Sequence, residues 1–170
     1  MSDVTLFSPQ INDLDLDPIK FKLMDCEEGE GWSRVKTDSV EKAYRCFLEI
    51  ILENEGEVVV PSKDVDKFWH AHILDTRKYA SDCDDIFGFF LHHFPYLGSR
   101  GEADKAALQS QFQRSKRLHA NRFVVADDQS KCEIASAVCG GGGGGCSGGG
   151  RMPDALELQI DMSTRPSCQA

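Results

Sequence analysis

Four of the chain's five histidines fall in one stretch, DKFWHAHILDTRKYASDCDDIFGFFLHHFPY, between Asp66 and Tyr96. Imidazoles beside carboxylates suit two kinds of chemistry: ligation of a divalent transition metal, and general-base catalysis by a carboxylate-oriented histidine. Asp66 and His70 stand at i and i+4, so on a helix both side chains reach one point in space. His72 cannot join them from that face, because two residues turn a helix by about 200°. It lies on the stripe Val65, Phe68, Trp69, Thr76, Tyr79 and Cys83, apolar enough to be the core side. A histidine there reads as a buried group in need of hydrogen-bond partners, and the Tyr79 hydroxyl or a backbone carbonyl would serve. His92 and His93 follow Gly88 and are flanked by phenylalanines. Adjacent residues divide, so one of the pair is expected inward. If that segment folds back on the helix, its imidazole meets His70 or His72. The candidate ligands are therefore Asp66, His70, His72, His92 and His93, for zinc, iron or copper. Two plainer readings compete. The Asp66–His70–Arg77 stripe can be a solvated charge ladder worth roughly a few tenths of a kcal/mol, and the paired histidines can simply satisfy helix-end carbonyls. Cys83 lies ~16 Å along a straight helix from His72, too far to share an ion, which makes it structural unless the helix breaks.

The elements that must position these groups are mostly helical. Asp17-Pro18 predicts an N-cap with proline at the first turn, Leu16 stapling onto Phe21, and a short helix to about Cys26. Asp38 and Glu41 resemble a capping box ahead of Val40, Ala43, Tyr44, Phe47, Leu48 and Ile51, whose spacing predicts an amphipathic helix ending near Gly56. Val58–Val60 before Pro61 reads as an extended linker or short strand. Ser62 caps a second long helix, carrying the histidines, that runs to about Phe87. After LGSRG, a last helix from about Glu102 to Asn121 turns Ala107, Leu108, Phe112 and Leu118 inward, with His119 on its apolar side. The fold predicted is all-α: a compact four-helix domain, orthogonal or bundle-like. Residues 1–16 form a polar lead-in, 17–135 the helical domain, and 136–170 a Gly/Cys-rich tail. That tail, with CGGGGGGCSGGG at its centre, offers no side chains for a core and is expected to be a disordered coil. A short strand at Ala155–Ile160 is its one candidate element.

Bulk properties narrow the partners. A chain of 170 residues is near the size of one domain. Net charge is −9, and Lys and Arg are interleaved with Asp and Glu rather than clustered. Counterion release needs clustered basic groups, so neither nucleic acid nor an anionic membrane surface is an expected partner. No apolar run approaches the ~20 residues of a membrane span, and MSDVTLFSPQ has neither the basic nor the apolar region of a secretory signal. A cytoplasmic location is expected. The seven cysteines include no CxxC pair, which fits free thiols in a reducing compartment and argues against a structural zinc finger.

The string Trp69-His70-x-His72-x-Leu74-x-x-x-x-Tyr79-x-x-Asp82-Cys83, preceded by Asp66 and followed by Gly88, resembles the glycine-rich domain-containing protein-like family. HHFPYLG is similar to what small bacterial members carry after this helix, and Gly-rich, Cys-dotted tails also occur in the family. The likeness covers Trp32 to about Phe123. It implies that Asp66, Trp69, His70, His72, Tyr79, Asp82 and Cys83 form a signature set. It carries over no reaction. Plant members are linked to RNA binding through additional domains that have no counterpart here.

Two functions follow. One is a His-based metal-binding helical domain, with enzymatic activity left open. The other is a non-catalytic interaction module or scaffold tethered by its tail, whose small-molecule, protein or peptide partner the residues do not name. Cys139, Cys146 and Cys168 in the tail suit soft metals or mixed disulfides, against the plainer role of a spacer. A third reading, resting on the Gly/Cys composition alone, makes the body a maturation enzyme whose tail mimics or carries a peptide substrate.

Overall fold

The computed structural model describes residues 6–123 and 148–149. Among these are six helices: α1 (Pro9–Asn12), α2 (Asp17–Met24), α3 (Arg34–Glu53), α4 (Lys63–Leu74), α5 (Thr76–Phe87) and α6 (Glu102–Phe123). Two short strands, β1 (His93–Phe94) and β2 (Gly148–Gly149), pair antiparallel. The body is all-α, as its periodicity predicts, but in six helical segments where four were expected.

Helix α3 is the spine of the core. The predicted stripe of Val40, Ala43, Tyr44, Phe47, Leu48 and Ile51 is buried, and so are Cys46 and Ile50 beside it. A helix covered on that many sides has neighbours around most of its circumference, here α1, α2, α4 and α6. It starts before the predicted capping box, because the Ser33 hydroxyl accepts from the Lys36 amide at 3.3 Å. Asp38 instead faces Lys20 of α2 at 3.3 Å. Lys20 also lies 2.8 Å from Glu41 and 2.9 Å from Asp17, and these carboxylates hold its ammonium well above the usual lysine range. The predicted staple does not form: Leu16 is buried while Phe21 is exposed.

The chain ahead of residue 17 is more than a polar lead-in. Ile11, Leu14 and Leu16 enter the core. The Arg45 guanidinium, braced by Glu41 at 2.7 Å, donates to the carbonyls of Ile11, Asn12 and Leu14. Glu49, buried on α3, accepts from the Ser8 amide at 2.9 Å and hydroxyl at 3.1 Å. A helix as short as α1 cannot hold itself; side chains of α3 hold it.

The predicted helix from Ser62 to Phe87 is two helices. Asp75, with φ −81° and ψ 72°, ends α4 and caps α5, its carboxylate accepting from the Lys78 amide at 3.4 Å. Asp followed by Thr76 favours a cap over a helix interior. The break turns α5 back, so that residues about ten apart in sequence, Trp69 with Tyr79 and His72 with Asp82, come into hydrogen-bond contact. In a straight helix they would sit about 15 Å apart.

Helix α6 buries Ser115, His119 and Phe123. Leu108 and Phe112 pack on Val60 and Leu97, and Leu118 on the main core, whereas Ala107 points outward, contrary to expectation. Val59 and Val60 run extended, with the Val60 amide donating to the Ser115 hydroxyl at 2.9 Å. Among the described residues no helix is long and apolar enough to cross a membrane. The predicted strand at 155–160 and most of the tail lie outside the described residues, but Gly148 and Gly149, expected in coil, form β2.

The turn after α2 supports one prediction. A Cβ on Gly29 would overlap the Lys22 carbonyl oxygen and lie 2.6 Å from that of Asp25. Both are backbone atoms that cannot swing aside. Gly29→Ala is expected to cost about 1–3 kcal/mol, read as a drop of several degrees in Tm. An unchanged melting curve would show that the turn relaxes freely.

Candidate metal centre

Helix α4 carries its chemistry on two opposite faces. On the inner face His72 is almost wholly buried. Its Nδ1 lies 2.9 Å from the Tyr44 hydroxyl, and its Nε2 lies 2.8 Å from Asp82 Oδ2, which also pairs with Lys78 at 2.9 Å. Burial pushes the imidazole pKa down against the opposing pull of Asp82. A neutral ring can satisfy both partners: Nε2–H donates to the carboxylate, and Nδ1 accepts from Tyr44. Burial pushes the Tyr44 hydroxyl far up, which keeps it a donor. The expected partner, Tyr79, is used elsewhere. Its hydroxyl accepts from Trp69 Nε1 at 2.9 Å and donates to the Leu91 carbonyl at 2.6 Å. Cys83 is buried too, and burial raises its thiol pKa.

On the outer face Asp66 and His70 meet His93 of β1. His70 Nε2 and His93 Nε2 are 2.7 Å apart, and His93 Nε2 is 3.4 Å from Asp66 Oδ1. The three offer ligand atoms that all lie within 4.8 Å of one another. Bound at ~2.0–2.1 Å in tetrahedral geometry, two ligand atoms sit about 3.3 Å apart. The Asp66–His93 spacing already fits, and the two imidazoles need only part slightly. Asp66 and His93 are largely covered, while the His70 side chain is about half exposed, at 48%. The cluster therefore has a shielded floor and an open side.

The inner network positions the outer cluster. Leu91, wholly buried and fastened by Tyr79, pins the chain two residues before His93. In extended backbone alternate residues share a side. His93 thus turns inward with Leu91, and His92 turns out to solvent beside Phe90, with ring centroids 5.0 Å apart. The Trp69 indole backs the His93 ring at 4.7 Å and an interplanar angle of 62°.

Of the five predicted ligands the structure brings together Asp66, His70 and His93. It sends His72 into the core and His92 to the surface. Tyr44, the hydrogen-bond partner of His72, escaped the sequence reading, because on α3 it is one apolar-stripe position among several. His119 is buried in the core as expected, against Phe123, with no hydrogen-bond partner for Nε2 among the described residues.

Beside the cluster a groove of about 430 Å³ runs between α2 and α4, lined by Ile19, Leu23, Leu74 and Ala71, with His70 at its rim. Lys67 and Lys22 in its wall are paired with Glu30 at 2.5 Å and Glu28 at 2.6 Å. It is a mostly apolar trough with paired charges in its wall, and of the three clustered residues only His70 lines it.

The family model described as UCP032817-like matches residues 11–127. The match runs from within α1 through α6 and takes in all three clustered residues. Comparison with curated proteins and with solved structures yields no match.

Proposed function

The chain belongs to the UCP032817-like family, and from that premise we propose that it is a divalent-metal-binding helical domain. The observation that carries this reading is the convergence of Asp66, His70 and His93, two of them from α4 and one from a strand 23 residues away, on one ion-sized point. Two imidazoles and a carboxylate suit zinc, iron(II) or copper(II) better than magnesium or calcium, which prefer all-oxygen sets. Three protein ligands leave coordination positions free, the arrangement of catalytic rather than structural sites. Such an ion would supply Lewis acidity toward a bound group. Asp66, His70 and His93 would hold it, and Trp69 keeps one flank dry.

A second reading is favoured by a different observation. Trp69, His72, Tyr79, Asp82 and Cys83 are all committed to the core, so most of the signature that resembles the glycine-rich domain-containing proteins stabilises the fold. A scaffold whose partner binds elsewhere would keep those residues and dispense with the outer cluster.

Metal titration separates the two. The untagged full chain is expected to take up one equivalent of zinc or cobalt(II) in equilibrium dialysis. Asp66→Ala, His70→Ala and His93→Ala should each weaken binding by roughly 100-fold or more, beyond the 10–100-fold typical of losing an outer partner. His92→Ala should leave it unchanged. A wild-type chain that binds no ion, or a His92 variant as impaired as the other three, would overturn the metal reading.

A further inference from the structure

The strand that delivers His93 has a partner from the glycine-rich tail. β1 pairs antiparallel with β2 in the register His93 opposite Gly149 and Phe94 opposite Gly148. Side chains directly opposite one another in such a pair stand on the same face, with Cβ atoms roughly 5 Å apart. Any side chain at position 149 would therefore occupy the space beside the His93 imidazole, where His70 and Asp66 converge. At position 148 it would crowd Phe94, whose ring meets Tyr96 at 5.6 Å and packs on Val60 and Leu97. Only glycine lets a strand lie along this edge without a side chain pressing on either ring.

We propose that the edge of β1 is a binding site for an extended glycine-rich peptide, filled in cis by Gly148–Gly149, and that this occupant controls access to the Asp66/His70/His93 centre. Control of access rests on the metal reading above; the peptide site does not. A two-residue pairing is weak on its own. Attachment in the same chain raises it, since intramolecular binding works at an effective concentration in the millimolar range, and the loop-closure cost grows only slowly with length. Composition adds a further advantage. Gly140–Gly145 and Gly148–Gly150 offer several Gly-Gly steps, and glycine strands slip register easily. By composition, other Gly-Gly steps would suit the same edge as well as Gly148–Gly149 does. Backbone amides and carbonyls would be recognised, and the absence of side chains would be the specificity.

The test compares the full-length protein with a full-length variant in which all the glycines of 140–145 and 148–150 are replaced by serine. Amide hydrogen exchange at His93 and Phe94 is followed without metal, and removal of zinc by an excess of chelator is followed in the loaded proteins. The serine variant is expected to lose about tenfold in protection at β1, an opening of local structure alone, and to release zinc about tenfold faster. Free CGGGGGGCSGGG peptide at millimolar concentration should restore protection in the variant. Equal protection in the two proteins overturns the peptide site. Altered protection with equal zinc release overturns the control of access. Protection that fades on dilution would assign the occupant to a second copy and overturn the cis arrangement. If neither protein binds zinc, the metal reading and the control of access fail together, while the exchange data still judge the peptide site.

Discussion

As the pH falls below 6.5, the ordinary histidine value, the wild-type domain is expected to lose stability, and His72→Gln is expected to remove that loss. The direction follows from burial. The folded chain holds His72 with a depressed pKa, so the unfolded chain takes up its proton first. Between the ordinary value and the depressed one, the unfolded state binds more protons than the native state, and stability rises with pH. It is therefore fully present above 6.5 and drains away as the solution is acidified toward the folded value. One proton corresponds to a slope of up to about 1.4 kcal/mol per pH unit. The groups facing the ring are Tyr44 from α3, Tyr79, Lys78 and Asp82 from α5, and Asp75 at the helix break. Asp82 pulls the other way, but burial is the larger influence. Glutamine can accept from Tyr44 or donate to Asp82 without titrating, so the variant keeps the shape and loses the proton. Urea midpoints across the acid range, wild type against variant, supply the measurement. Parallel curves would mean that His72 titrates alike in the folded and unfolded chains, so that burial does not depress it.

That inner network explains what could and could not be read from residues alone. The stripe of α3 was legible because each of its apolar positions repeats at helical spacing and nothing interrupts it. The opposition of His70 and His72 was legible for the same reason, being a consequence of helical pitch. The break at Asp75 was not. Its signal was an Asp-Thr pair inside a run of good helix formers, too weak to outweigh the continuous stripe from Val65 to Cys83. Missing it hid the pairing of His72 with Asp82, because partners ten residues apart meet only once the helix turns back. The packing of the N-terminal segment is hidden from local sequence for another reason. Pro9–Asn12 has no helical strength of its own, and the groups that hold it, Arg45 and Glu49, sit more than 30 residues away in sequence.

The outer cluster shows the same boundary. That one of His92 and His93 would point inward follows from strand alternation, but which one depends on where the chain is pinned. The pin is Leu91, and its fastening by Tyr79 is tertiary. Register, unlike pitch, is set by a contact the local sequence does not contain. The pairing of β1 with glycines more than fifty residues later lies further still beyond local signals, since a glycine run has no pattern to announce a partner.

The residue joining both faces of α4 is Trp69, and Trp69→Ala should show the largest single effect on the fold. The indole is wholly buried, packs on Phe47 at 5.2 Å, donates to Tyr79 and backs His93 at 4.7 Å. Truncation leaves a large cavity and is expected to cost about 3–5 kcal/mol. It also removes the wall that orients His93, so zinc affinity should fall roughly 10- to 100-fold, as when a metal ligand loses its outer support. Tyr79→Phe separates the two consequences. It leaves the indole in place but orphans the Trp69 N–H and the Leu91 carbonyl, at a cost of about 1–3 kcal/mol. If Leu91 is the pin that turns His93 inward, that variant too should weaken zinc binding, though the wall survives. Trp69→Phe, keeping a ring against His93, should restore most of the affinity lost in the alanine variant. Denaturant unfolding and zinc titration on the same three proteins decide the matter. Should Trp69→Ala lose stability yet bind zinc as tightly as wild type, the core and the cluster are independent, and His93 is held in place by β1 alone.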